Sequence, residues 1–503
     1  MLSAFANCFS IPELRQRILF TLGILAIVRI GAAIPIPGIN ASLLNMYFDQ
    51  IVNQQATNNV VGLINIFSGG ALQNCAIFSL GIMPYISASI MMQLLTVVIP
   101  TLGKMVREEG GRQKINQYTR LLTLALCTIQ GYFLAITLQN PETNPFLSGI
   151  GELIAREGTE LVPNPGAGFI FTVIVTNMAG TMLLVWLGEQ ITDRGVGNGI
   201  SLIITVGILA SLPAALASAY SVFFGVQNDR ANPLLVVILI AFLIIVIAGV
   251  VAVTQAQRKI RVDYAKRIIG RKMYGGQTSY LPLKVNYSGV LPIIFAQTIL
   301  MFPSMLLGFV PNEVLSDWPW VATFAFSLER GSLHYIILAA MILFFSYFWV
   351  ATQFNPIQIA DDLKKNGGYI PGIRPGQPTA EFLDYTMSRL TLAGAFFLTV
   401  LAVLPQLINL NLGIPFITAS FFGGTSLLIS VGVLLDTMRQ IETYLFQKNY
   451  EGFLKKGRIR GRSAVPLPLS PNVVSNELLV WLWTVIAVLV VLSAAAAAFQ
   501  RIN

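Results

Sequence analysis

The sequence predicts an all-α polytopic membrane protein, and three observations carry the prediction. Apolar runs of roughly 20 residues recur near 18–36, 76–98, 118–138, 168–187, 197–217, 233–254, 288–310, 333–352, 389–407, 421–441 and 478–499, each long enough at 1.5 Å per residue to cross a ~30 Å hydrocarbon core as a helix. Charged residues make up 11% of the chain, against about 25% in a soluble protein, and the mean hydropathy is +0.70. The Lys and Arg residues also fall almost wholly on one side of the threading that these runs impose. Ten or eleven spans follow.

The first run comes after Glu13, Arg15 and Arg17 and leads into the turn sequence GAAIPIPG at 31–38. No small-x-small cleavage site follows it, so it is expected to stay as the first span rather than leave as a signal peptide. Arg29, toward the end of this run, is the only ionisable residue well inside any of them. Ion-coupled carriers keep their coupling charge within the spans. Its near absence predicts a passage or a scaffold rather than an ion-coupled pump. Cys8, Cys75 and Cys127 are odd in number and lack metal or redox spacing, so free thiols are expected, with no metal and no cofactor.

Between the first two full spans, Val60–Phe67 is apolar but too short to cross, and Ser68-Gly69-Gly70 breaks it before a full span begins near Ala76. An interrupted helix at membrane depth is tolerated only against protein or beside a cavity. It is either an interfacial re-entrant turn or a movable stopper with a glycine hinge. Pro84 within the second span, and Gly195, Gly197 and Gly199 ahead of the fifth, predict bends or close backbone approach.

Taking alternate loops leaves one side with only Arg156, Arg230, Arg330 and Arg501, while Arg29 lies in a span and the rest of the 32 Lys and Arg share the other side. Basic residues stay inside, so the N-terminus is expected in the cytoplasm. Loop 255–287 carries eight basic residues against one acid, Asp263. Its segments Val262–Tyr264 and Tyr280–Leu283 interleave apolar and aromatic residues as a short hairpin would. Loop 355–386 holds Gly367-Gly368 and the run Pro371–Gly376, a rigid tip presenting Arg374. Such loops either touch anionic lipids or dock a large anionic partner, such as ribosomal RNA or an acidic protein surface.

FSGGA at 67–71, GIMPYISASI at 81–90, WLGEQITDRGVGNGISL at 186–202, YAKR at 264–267, LPLKVN at 281–286, NPIQIADDLKKNGGYIPGIRPG at 355–376 and FGGTSLLI at 422–429 resemble, in order, the SecY family, the channel subunits of the bacterial Sec protein translocon. That resemblance implies a ten-span SecY-type clamshell of two pseudosymmetric halves. The N-terminal half would be residues 1–217, holding spans 1–5 and a plug at 60–72. The C-terminal half would be 218–445, holding spans 6–10 and the loops 255–287 and 355–386. Residues 446–503 would be a basic tail with an apolar helix at 478–499. This eleventh span departs from the family pattern.

By the same resemblance, Ile82, Ile86, Ile200, Ile204, Ile294 and Ile429 form a pore ring. The pairs 82/86 and 200/204 are four apart and share helical faces, and branched aliphatics close a pore by dewetting yet yield to a chain. Asn65, Phe67, Ser68, Gly69 and Gly70 belong to the plug. Ser87, Gln93, Gln130, Thr298 and Phe302 are candidates for a lateral gate, where hydrogen bonds between spans are worth roughly 0.6–2 kcal/mol. Arg258, Lys259, Arg261, Lys266, Arg267, Arg271, Lys272, Lys364, Lys365 and Arg374 are candidates for docking a motor or a ribosome. The implied partners are SecE and SecG, the SecA motor ATPase, the ribosome through its RNA, secretory and membrane-protein precursors, and anionic lipids. The implied location is the bacterial inner (plasma) membrane.

The function implied is a protein-conducting channel that moves unfolded secretory chains across the membrane and releases apolar segments sideways. It would perform no covalent chemistry, and the chain carries no GxxxxGK[ST] phosphate loop, so energy would come from outside. A secondary transporter for a small solute is the alternative, since carriers also use broken helices, but apart from Arg29 the spans lack an intramembrane charge. A membrane enzyme would need a His/Asp/Glu cluster, and the single histidine, His334, lies at a span edge.

Overall fold

The structure, a computed structural model, describes residues 11–53, 65, 68–108, 110–141, 150–158, 160–213, 215–217, 233–264, 267–269, 272–274, 278–307, 332–412, 419–421 and 424–456. Two compact units divide the chain, Met1–Phe446 and Gln447–Asn503. Only the first ten residues of the second are described, as the end of a helix.

The first unit opens with α1 (Pro12–Gly31), started by a proline in its first turn, where the missing N–H costs nothing. Leu14, Ile24, Leu25 and Val28 bury one face of it, while Leu19, Leu22, Ile27 and Ile30 are each more than half exposed on the other. An apolar outer face is what contact with lipid requires. α2 (Ala41–Asn53) follows. Turns then occupy 69–82 before α3 (Met83–Val98) and α4 (Pro100–Arg107).

The second span therefore begins later than expected. Residues 76–82 run as turns because Ile34 and Ile36 pair with Ile77 and Cys75, fixing an antiparallel bridge at Pro35 and Ala76. Pro84, expected to bend the span, instead stands in its first turn. The bend comes at Ile99-Pro100, where α3 and α4 meet at 106° because proline removes a donor and restricts the residue before it.

α5 (Gly111–Gln139), α6 (Ile150–Glu157), α7 (Ala167–Arg194) and α8 (Gly199–Ala210) complete the N-terminal part. α7 and α8 turn back on each other tightly. A Cβ on Gly199 would lie 1.9 Å from the Gly188 carbonyl oxygen, and one on Gly195 would lie 2.4 Å from Thr21 Oγ1. The glycines at 195 and 199 thus serve close approach, as predicted, and Asn198 caps α8 by accepting from the Ser201 N–H at 3.2 Å.

α9 (Pro233–Gln255) leads into β1 (Gln257–Tyr264), β2 (Arg267–Ile269), β3 (Lys272–Tyr274) and β4 (Thr278–Lys284). α10 (Leu291–Leu307) and α11 (Ser332–Gln353) come next, then α12 (Pro356–Lys365), β5 (Gly368–Tyr369), α13 (Gln377–Leu412) and α14 (Thr425–Lys456). β1 pairs antiparallel with β4, and β5 adds to the other edge of β1, giving the order β4-β1-β5. The predicted hairpin is there. The third strand, and the helix α12 within loop 355–386, are new.

Among the described residues six helical runs are long and apolar enough to cross a membrane, and the bent pair α3–α4 makes a seventh. Ten or eleven were expected. α1 carries Arg15, Arg17 and Arg29 within its 20 residues, more charge than an ordinary span. The expected span at 288–310 runs past the described residues, and the one at 478–499 lies outside them.

Candidate functional site

Six isoleucines from four elements converge. Ile82 caps α3 and Ile86 lies one turn in, its N–H donating to the Ile82 carbonyl at 3.1 Å. Ile200 and Ile204 stand one turn apart on α8, Ile294 on α10 and Ile429 on α14. Ile82, Ile204 and Ile429 are buried in one apolar cluster with Val185, Ile208 and Phe421, and Ile86, Ile200 and Ile294 pack half-buried against it. Glycine sets the approach here too: a Cβ on Gly188 would reach within 3.0 Å of Ile200 Cγ1. The side chains gathered here are aliphatic and aromatic, which disfavours water and ions among them, while Arg29 borders Ile82 and Ile204 across a small cavity.

Beside this cluster lies a glycine turn. The Asn65 carbonyl accepts from the Gly70 N–H at 2.9 Å and from Ser68 Oγ at 3.1 Å. Asn65 Oδ1 accepts from the Gln73 N–H at 3.0 Å, and Ser68 Oγ from the Leu72 N–H at 3.2 Å. Gly69 and Gly70 hold φ of +68° and +82°, a region costly for any side chain. Arg29 Nη1 donates to the Gly69 carbonyl at 2.8 Å. A cavity of about 20 Å³ is lined by Arg29 and Ser68 and also by Ile82 and Ile204. Phe67 lies outside the described residues.

Residues 71–82 are fastened below the turn by polar contacts buried among the helices. Ser79 Oγ donates to Asn177 Oδ1 at 2.6 Å, and Thr181 Oγ1 donates to the Gly81 carbonyl at 3.2 Å. Gly180 lets the segment lie flat on α7, since a Cβ there would fall 2.1 Å from the Ile77 oxygen.

α3 also meets α10. Ile90, with Ile86 and Leu94, packs among Ile293, Phe295, Ala296 and Leu300 of α10 and Val246 and Val250 of α9. Ser87 and Gln130 are half-buried and Gln93 is exposed. Among the described residues these three side chains make no hydrogen bond. Thr298 and Phe302 stand on α10, with side chains outside the described residues.

The basic loops are joined into one body. Ile260, Val262 and Leu283 of the hairpin bury against Val350, Phe354, Ile370, Leu383 and Met387. The alternation of a strand turns Lys259 and Arg261 outward, and Arg258 is exposed as well. Arg261 Nε donates to Asp263 Oδ1 at 2.9 Å, and that bond raises the pKa of the guanidinium. Lys364 and Lys365 end α12, where its C-terminal dipole favours cations. Arg374 is exposed on the turn between Gly372 and Gly376, both at positive φ. Lys266 and Arg271 lie outside the described residues, as do the side chains of Arg267 and Lys272.

A family model described as SecY matches residues 76–438. The protein translocase subunit SecY of Chlamydia trachomatis is 45% identical over 466 residues, which cover 92% of this chain and all of that protein. The chain belongs to the SecY family. The SecY protein translocase subunit of Escherichia coli K12 is also 45% identical, over 89% of this chain and 96% of its own. A solved structure of a protein conducting channel shares the fold at a TM-score of 0.53 and 18% identity, covering 88% of this chain and 94% of that one. A second, on the SecY plug domain that stabilises the closed translocation channel, gives 0.51 at 19% identity and the same coverage. The motif resemblance to SecY is borne out.

Several contacts around this SecY-family site were not read from the sequence. The Arg29–Gly69 bond is one, although a lone arginine at the end of an apolar run was its signal. The Ser79–Asn177 bond and the β5 strand are others. Arg120 Nη2 also lies 2.6 Å from Glu189 Oε2, pairing α5 with α7.

Proposed function

We propose that this chain is the pore-forming subunit of a protein translocase, and that unfolded polypeptide passes through the isoleucine cluster. The convergence of Ile82, Ile86, Ile200, Ile204, Ile294 and Ile429 from four separate elements is the observation that supports it. Aliphatic side chains without charge seal against ions by dewetting and can part around a chain without holding it. Relatives at 45% identity named as protein translocase subunits support the same reading over a small-solute transporter.

The glycine turn at 68–70 with Asn65 and Phe67 serves as the plug, set beside the ring. The apolar seam of α3 with α10 is the lateral gate, which an apolar segment displaces by offering the same kind of contact. Residues 1–217 and 218–445 are the two halves of the clamshell, in ten spans, with 478–499 as an eleventh. The chain does no covalent chemistry. A SecA motor or a translating ribosome supplies the energy and docks on the exposed Arg258, Lys259, Lys364, Lys365 and Arg374, which the shared sheet holds on one body. SecE and SecG are the membrane partners, anionic lipids contact the basic loops, and the chain lies in a bacterial inner membrane with its N-terminus in the cytoplasm.

The test is reconstitution into vesicles with SecE, SecG and SecA. A secretory precursor should become protected from added protease when ATP is present. Failure to protect it, with motor ATP hydrolysis intact, would overturn the proposal.

A further inference from the structure

We propose that Arg29 is the positioning residue of the plug, a cation whose bond to the Gly69 carbonyl holds the turn closed and breaks when a polypeptide enters. The inference rests on the channel reading and deepens it. Arg29 lies in the last turn of α1, where the negative end of the helix dipole favours a cation. Its Nη1 donates to the Gly69 oxygen at 2.8 Å. Glu189 pairs with Arg120 and Asp263 with Arg261, so neither of these carboxylates serves Arg29. An arginine within a span is met by an acid or by backbone carbonyls. Here the recorded acceptor is a neutral carbonyl on a turn that can leave.

The surroundings of Gly69 fit a latch. A Cβ at residue 69 would lie 2.6 Å from Gly207 Cα on α8 and 2.8 Å from Arg29 Nη1, so the turn is pinched between the helix and the guanidinium. The small cavity bordering the turn is lined by Arg29 and Gly207 together with Ser68, Ile82 and Ile204, so the guanidinium, the turn and the isoleucines share one space. Gly69 is buried, and the charge-assisted bond adds to that burial in fixing the turn. Such a bond is strong in a water-poor setting and is exchanged for water at smaller cost where water enters.

Single-channel conductance of the purified channel in planar bilayers, without precursor, tests the latch. Arg29→Gln removes the donor and Gly69→Ala displaces the acceptor. Each should raise the open fraction about tenfold, a change within the weight of a charge-assisted hydrogen bond. The double variant should leak less than the product of the two singles, because both lose the shared bond although Gly69→Ala also presses on Gly207, and Arg29→Lys should stay near wild type. Singles that remain closed, or a double whose leak is the product of the two, would overturn the latch. Wild-type protein opened by an engaged precursor checks the channel itself: if it opens while both singles stay closed, the latch fails and the channel stands. A wild type that never conducts overturns both.

Discussion

Tyr264 and Gly368 face each other across an antiparallel ladder, so two loops that lie on either side of α10 and α11 in the chain share one sheet. That pairing turns scattered basic residues into a surface. Gly368 is buried, and a Cβ there would meet Tyr264 Cε1 at 3.1 Å and Val262 Cγ1 at 3.2 Å. Gly368→Val should cost about 1–3 kcal/mol of local packing and free β5 from β1. Binding to ribosomes in cosedimentation should weaken several-fold while the chain still inserts into membranes. Unchanged binding would mean that the docking surface does not depend on the sheet.

Docking on RNA or an acidic surface has a salt signature. Replacing Arg258, Lys259, Lys364 and Lys365 by Glu should weaken ribosome binding and flatten the dependence of log K on log salt by about 0.7–0.9 per lost phosphate contact. A steep slope preserved in the variant, with loss of binding to anionic vesicles instead, would assign these residues to lipid.

The bond from Ser79 to Asn177 is buried and 2.6 Å long. Asn177→Leu strands the serine hydroxyl, which should cost about 1–3 kcal/mol and lower the melting temperature of the detergent-solubilised protein. Ser79→Ala combined with Asn177→Leu should recover part of that loss, because the cycle then removes both partners. Strictly additive losses would show that the two side chains do not act together.

The apolar runs were legible because length and hydropathy are one-dimensional, and the helices α5, α7, α11 and α13 sit where they were expected. The hairpin β1–β4 was legible too, from alternation within a single loop. β5 was not, since two residues leave no period to read and their partner strand lies far away in the chain. Likewise the start of α3 shifted because Ile34 and Ile36, which precede α2 in the chain, claim the backbone of residues 75–77. The isoleucines came from motifs, and periodicity alone would have given only the pairs 82/86 and 200/204. Ser87, Gln93 and Gln130 were singled out as polar residues in spans, but which face each presents depends on neighbours that sequence does not display.

The most direct measurement is disulfide capture of an arrested secretory precursor. Cys8, Cys75 and Cys127 would be replaced and single cysteines placed at Ile86, at Ile204 and, for comparison, at Ile245, which is 68% exposed on the outer face of α9. Passage through the isoleucine cluster predicts capture at 86 and 204 and none at 245. An engaged precursor that is captured at neither 86 nor 204, or equally well at 245, would contradict a polypeptide path through these residues.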